Sequence, residues 1–248
     1  MSRVGTQLGA PVGIRRESAG QVIYRMLRDA VIQRRLAPST RLLEPELAVS
    51  LSVSRTPVRE ALRVLEAEGF VERLPGGGLV VAGIDPQDVR ELYDVRLALE
   101  MMVARQAAQR ATVHDVHALI DLLDRLSRLT LEPEEALRNG DVFHDQLAQL
   151  AGNRRCQEMI HHMRNHIDRY RSAGSLAAPE RVARAWTEHR RVADAIAQGN
   201  PVRAARAMQA HIRAEAQACI AAVDHDHRPG AHGGRRGSRL EVLGVGTG

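Results

Sequence analysis

The chain has 248 residues, 44% of them hydrophobic, and no apolar run long enough to cross a bilayer, which predicts a soluble protein of one large or two ordinary domains. The opening MSRVGTQLGAPVGIRRES lacks a continuous apolar signal-peptide core, and Cys156 and Cys219 stand alone in helical patterns, so a reduced, cytoplasmic setting is expected. The net charge of +5 comes entirely from Arg among the basic residues and is uneven: residues 1–83 hold 12 Arg against 8 acids, 84–223 hold 19 against 19, and 224–248 hold 4 against 3. The excess lies in the first third, as expected of a segment that meets a polyanion, although a solvated surface would give the same small surplus.

In chain order, residues 1–17 are Gly-rich and irregular and are expected to form a disordered arm. AGQVIYRMLRDAVIQRRL predicts a first helix with Val22, Met26, Leu27, Ala30 and Val31 on one face, PELAVSL a short second helix opened by Pro45, and SRTPVREALRVLEAEG a third. FVERL and LVVAG read as two strands joined by PGGG. Three helices followed by a hairpin predict a winged helix-turn-helix over residues 18–83. From 84 to 223 the pattern gives roughly six helices separated by TVHD, LEPE, AGN, SLAAPE and GNP, an all-α bundle. DHDHRPGAHGGRRGSRLEVLGVGTG, residues 224–248, is low-complexity and is expected to be a disordered tail.

The third helix has two different halves. Ser54 suits an N-cap, and Pro57 falls in the first turn, where its missing N–H has no intrahelical partner to lose. Val58, Ala61, Leu62 and Leu65 form an apolar stripe, while Arg55, Thr56 and Arg59 point outward near the N-terminus. A helix N-terminus attracts phosphate, and a first-turn Arg can reach O6 and N7 of a guanine in the major groove with two hydrogen bonds. The plainer alternative is a solvated helix face.

In the bundle, His144 shares a stripe with Leu137, Leu147 and Ala151, His189 with Val182, Ala185, Val192 and Ile196, and His211 with Ala204, Met208 and Ala214. A lone inward His is ordinarily a hydrogen-bonded core residue. Three on three helices can instead converge on one divalent cation such as Zn²⁺ or Ni²⁺. His161, His162 and His166 are assigned to the surface or a pocket lining, and His225, His227 and His232 to the tail. Arg96 falls on the buried face defined by Val89, Leu92, Tyr93, Leu99 and Val103, where a guanidinium needs an anion; Glu100, one turn on, is a candidate. A three-His ion could activate water, as in a metal-dependent hydrolase, but no HExxH, nucleophile elbow or phosphate loop is present, and a hydrolase leaves the first domain unexplained.

The run APSTRLLEPELAVSLSVSRTPVREALRVLEAEGFVERLPGGGLVV resembles the winged-helix domain of the GntR family of bacterial transcription regulators. ELYDVRLALE, FHDQLAQLAGN and EHRRVADAIAQGNPVRAARAMQAHI resemble the FCD effector domain of its FadR-like subfamily, and the likeness covers residues 18–222. It implies a homodimer on an inverted-repeat DNA operator, with Ser54 and Thr56 on the backbone and the wing tip, Gly76, Gly77 and Gly78, near the minor groove. Pro45 stands where some relatives carry a DNA-contacting Arg. The resemblance also implies a small organic acid as effector, its carboxylate held jointly by Arg96 and a metal on His144, His189 and His211. Gly140 occupies the place of the family's usual acidic ligand, four residues before the first His, and Asp141 is the available substitute on nearly the same face. A DNA-architectural protein with a structural metal is the alternative without an effector.

Overall fold

The computed structural model describes residues 17–129, 133–177 and 179–226; of the expected arm, residues 1–17, all but Glu17 lies outside them, as does the tail from 227 onward with His227 and His232. Helix α1 (Ala19–Ile32) starts at a capping box, in which Ser18 Oγ accepts from the Gln21 N–H at 3.2 Å and the Gln21 side chain accepts from the Ser18 N–H at 3.0 Å. Its buried face is Ile23, Leu27, Ala30 and Val31, so the apolar stripe runs through Ile23 while Val22 is exposed. This face packs on α3 (Arg55–Ala67), whose buried residues are Val58, Ala61, Leu62 and Leu65, the stripe expected from sequence. Between them lie β1 (Arg41–Leu42) and α2 (Glu44–Ser50), with Pro45 in the first turn.

The wing has one strand more than the hairpin predicts. Strands β2 (Val71–Arg73) and β3 (Leu79–Val81) pair antiparallel, and β1 joins the other edge of β3 with Arg41 opposite Val80 and Leu42 opposite Leu79, giving the order β1-β3-β2. Leu79, Val80 and Val81 of the central β3 are all buried rather than alternating. At the tip, Gly77 and Gly78 take φ of +87° and +90°, which an L side chain adopts only under strain.

Six helices follow among the described residues: α4 (Pro86–Arg110), α5 (Val113–Leu129), α6 (Pro133–Ala151), α7 (Arg154–Ala177), α8 (Pro179–Ala197) and α9 (Pro201–Asp226). Asp85 caps α4 by accepting from the Gln87 N–H at 2.8 Å, with Pro86 as the first helical residue. α4 and α9 form the most extensive helix pair, and Val103, Ala104, Ala107, Met208 and Ile212 share one buried core with Phe143, Leu147 and Val192. α9 continues to Asp226, so residues 224–226, with His225, are helical rather than part of a tail.

The winged helix keeps a separate core and touches the bundle chiefly through α7. Arg169 donates to the carbonyls of Ala82 and Gly83 just after β3, the His166 ring stacks on Phe70 at 4.7 Å, and Asn165 donates to the Tyr24 hydroxyl at 3.5 Å. Phe70 is fully buried and belongs to both the small core and this junction. Phe70→Ala is expected to destabilise the winged helix by about 3–5 kcal/mol, the range for emptying an aromatic site in a packed core; urea unfolding followed by circular dichroism measures it, and a loss below about 1 kcal/mol contradicts this packing role.

Candidate functional site

Two groups of side chains were singled out by sequence, and they lie in different domains. On the first, Ser54 has the extended backbone of an N-cap, though its hydroxyl makes no capping bond, and Arg55, Thr56 and Arg59 are exposed around the start of α3. Arg59 is held: its Nη2 and Nε donate to Glu44 Oε2 at 3.0 and 3.1 Å, bringing the first turns of α2 and α3 together. Gly76, Gly77 and Gly78 form the exposed wing tip.

The second group is interior. His144 on α6, His189 on α8 and His211 on α9 are each at most 3% exposed, and their ligand atoms form one cluster. His211 Nε2 lies 3.2 Å from His189 Nε2 and 3.3 Å from His144 Nε2. Two nitrogens each ~2.0–2.1 Å from one tetrahedral ion are separated by about 3.3–3.4 Å, so the spacing fits a shared ion. The outer nitrogens of two rings meet carboxylates: His144 Nδ1 is 3.2 Å from Glu100 Oε2 and His211 Nδ1 is 2.8 Å from Glu188 Oε2. Such partners fix the tautomer with Nε2 free to ligate. Burial, reinforced by His211 and His144, pushes His189 well below the usual imidazole range, and burial also lowers His211 against the pull of Glu188. Neutral imidazoles are the ligating form.

Arg96 finds its anion on another helix. Its Nη1 donates to Glu215 Oε1 at 2.7 Å, while Glu100 Oε1 is 3.6 Å from its Nε. Glu215 also accepts from the Tyr93 hydroxyl at 2.8 Å and pairs with Arg171 Nε at 3.1 Å. Arg96 is therefore paired within the wall of the site: it does not line the pocket beside His189 and His211, but shares with His144 and Glu100 a small cavity on the other side. The pocket is lined instead by Arg171, Arg181, Trp186, His189, His211 and Glu215 among smaller residues.

Asp141, the substitute fourth ligand, is likewise engaged elsewhere. Its carboxylate pairs with Arg171 and, at 2.8 Å, with Arg164, and it is outside the histidine cluster. Being three rather than four residues before His144 rotates it away along α6. Position 140 does face the triad: a Cβ on Gly140 would lie 3.6 Å from His189 Cε1 and 2.9 Å from Arg171 Nη2.

Residues 19–81 match the model of the bacterial regulatory proteins, gntR family, and residues 91–214 match that of the FCD domain. An uncharacterized HTH-type transcriptional regulator in an unstable DNA locus of Streptomyces ambofaciens is 36% identical over 77% of this chain and 81% of its own length. The HTH-type transcriptional repressor RspR of Escherichia coli is 31% identical over 79% and 87%. The chain belongs to the GntR family of transcriptional regulators. Among solved structures, a putative GntR regulator from Rhodococcus sp. RHA1 is 26% identical with a TM-score of 0.63, covering 86% of this chain and 100% of that one. E. coli McbR/YncC, at 20% identity and a TM-score of 0.64, shares the fold. These relatives are DNA-binding regulators, which removes the hydrolase alternative.

Sequence reasoning missed Glu215, Glu188, Arg171 and Arg181 of this GntR regulator. Glu215 had a signal, one turn beyond His211 and one before Cys219; Arg181 and Glu188 pair along α8 but reach His211 across helices, and Arg171 meets Glu215 across helices. The depressed histidines give a pH signature: below about 6.5 the unfolded chain binds protons that the folded chain refuses, so stability is complete above that pH and lost as pH falls. Asp168, pushed up to about 7 by burial and by Asp141, works in the opposite direction. Comparison with His189→Gln cancels that opposing contribution. In chelator-treated protein the wild type is expected to lose stability relative to His189→Gln between pH 7 and 5; urea midpoints across that range measure it, and a constant difference counts against a buried neutral His189.

Proposed function

We propose that this regulator acts as a homodimer on an inverted-repeat operator, with Arg55 and Arg59 reading base edges, Ser54 and Thr56 on phosphates, and the tip at Gly76, Gly77 and Gly78 at the minor groove. We further propose that its grip on DNA is set by a small organic acid bound beside a divalent ion, Zn²⁺ or Ni²⁺, on His144, His189 and His211. The observation that carries the sensor half is the convergence of the Nε2 atoms at 3.2 and 3.3 Å with carboxylates behind two of the rings. Gly140 supports an acid as the missing partner. Where an acidic side chain would point at the ion, the Arg171 guanidinium lies instead, so an incoming carboxylate meets both an unfilled ligand position and a cation. Arg96 serves this arrangement indirectly, by holding Glu215, which holds Arg171.

For the DNA half, Arg59 must exchange Glu44 for its target, an exchange between two exposed partners. Arg55→Ala and Arg59→Ala are each expected to cost about 1–3 kcal/mol on the operator and to relax preference at one guanine per half-site. Titrations on operator and single-base variants, with two protomers bound per operator, decide it; equal weakening on random DNA assigns these arginines to phosphate alone.

For the sensor half, His189→Ala should retain operator binding while losing bound metal and the response to acid. Gly140→Asp should resist chelation better than the wild type, because it returns a carboxylate to a position that faces the triad, with the Arg171 guanidinium shifting to pair with it. Metal content by mass spectrometry before and after chelation measures both. A metal-free wild type under replete conditions overturns the sensor reading.

A further inference from the structure

The pocket beside the histidines contains donors that no protein atom satisfies. Arg181, near the start of α8, is 7% exposed. Its Nη2 donates to Glu188 Oε2 at 2.6 Å, but its Nε and Nη1 are buried without a hydrogen-bond partner, as are Trp186 Nε1 and His189 Nδ1. All three residues line one pocket, partly open to solvent, whose other walls include the apolar Val182, Ala185 and Ala218. A buried N–H with no acceptor carries an uncompensated desolvation penalty, so several in one pocket mark a place for acceptors that arrive with a ligand.

Charge points the same way. Around the triad Arg96, Arg164, Arg171 and Arg181 are faced by Glu100, Asp141, Glu188 and Glu215, and imidazoles that ligate an ion are neutral. The protein groups balance. A divalent ion on the histidines then leaves two positive charges without counterions in a low-dielectric site, the deficit that one dianion cancels. The two ends of that dianion must be close together, because Glu188 Oε2 accepts from both Arg181 and, at 2.8 Å, His211 Nδ1.

We propose that the effector is a short aliphatic dicarboxylate, with one carboxylate beside the three histidines and the second on Arg181 and Trp186. The inference rests on the metal-and-acid reading above and adds the ligand's second anionic group. Arg181 and Trp186 are thereby the residues that distinguish a diacid from a monoacid with the same number of carbons.

The test uses the full-length, metal-loaded protein in calorimetric titrations with malonate, succinate and glutarate, each against propanoate, butanoate or pentanoate of equal carbon number. At least one diacid should bind tenfold or more tightly than its monoacid. Arg181→Lys keeps a cation for Glu188 and removes the vacant donors; Trp186→Phe keeps the ring and removes the N–H. Each should weaken the preferred diacid about tenfold while leaving monoacid affinity and metal content unchanged. Monoacids that bind the wild type as tightly as diacids at every length, or variants that weaken both series alike, overturn the inference and leave the sensor reading standing. If neither series binds a protein that still holds metal and operator, the acid-sensor reading falls, and this inference with it.

Discussion

Burying both Arg96 and Arg171 among the helices of the bundle depends on Glu215, the carboxylate they share, beside Glu100 for the one and Asp141 for the other. Burial pushes the Glu215 carboxyl up, but Arg96, Arg171 and His211 together hold it well below the ordinary carboxylate range, so the anion persists where a lone carboxylate would take up a proton. Through its Oε1 it receives the Arg96 guanidinium, the Tyr93 hydroxyl and the Arg171 Nε, and through its Oε2 it comes within 3.5 Å of His211 Nε2. One side chain of α9 thus ties α4 and α7 together behind the histidines. Glu100 repeats the device on a smaller scale: burial opposes its charge, yet His144 and then Arg96 bring it down to about 2. The rings are held by charges that are themselves held, and this rigidity is what a preformed three-ligand site requires.

Helix α7 joins this network to the DNA-reading half. Arg171 stands at the pocket, two residues after Arg169, whose guanidinium reaches the carbonyls of Ala82 and Gly83, and five after His166 on Phe70. Arg169 is buried and held below its usual range mainly by desolvation. Its hydrogen bonds to backbone carbonyls offset part of that penalty only while the segment after β3 stays in place. One helix and two close contacts therefore join the pocket to the base of the wing. Coupling energy needs such a discrete packed element.

Legibility from sequence followed the range of the interactions. The stripe of α3, the six bundle helices and the three inward histidines all rest on periodicity within one helix, and each was readable. Strand β1 was not, because two residues carry no period and its pairing partner lies 37 or more positions away. The buried face of α1 was displaced by one position, to Ile23, since Val22 and Ile23 are equally apolar and only packing on α3 chooses between them. On α9 the periodic reading took Ala214 in place of Glu215, because a carboxylate is ordinarily assigned to solvent. Arg171, Arg181 and Glu188 were passed over for the same reason. A buried charge becomes visible only with its counter-charge, and of the partners here Glu100, Asp168 and Glu188 share a helix with the arginine they face while Glu215 and Asp141 do not.

Gly140 shows how a departure in sequence becomes a property of the site. Glycine within a helix costs about 1 kcal/mol relative to alanine, so its presence on α6 calls for a local reason. The reason is Arg171. An added Cβ would approach Nη2 to 2.9 Å, closer than such atoms pack, whereas glycine leaves the guanidinium room to lie over the helix and pair with Asp141 and Glu215. The glycine and the guanidinium go together, and they leave positive rather than negative charge at this point beside the histidines. With no side chain at position 140 and Asp141 engaged by Arg164 and Arg171, no carboxylate of α6 joins the histidine cluster. Occupancy by an external acid is the property that separates a sensor from a structural metal site, whose ligands are all supplied by the chain.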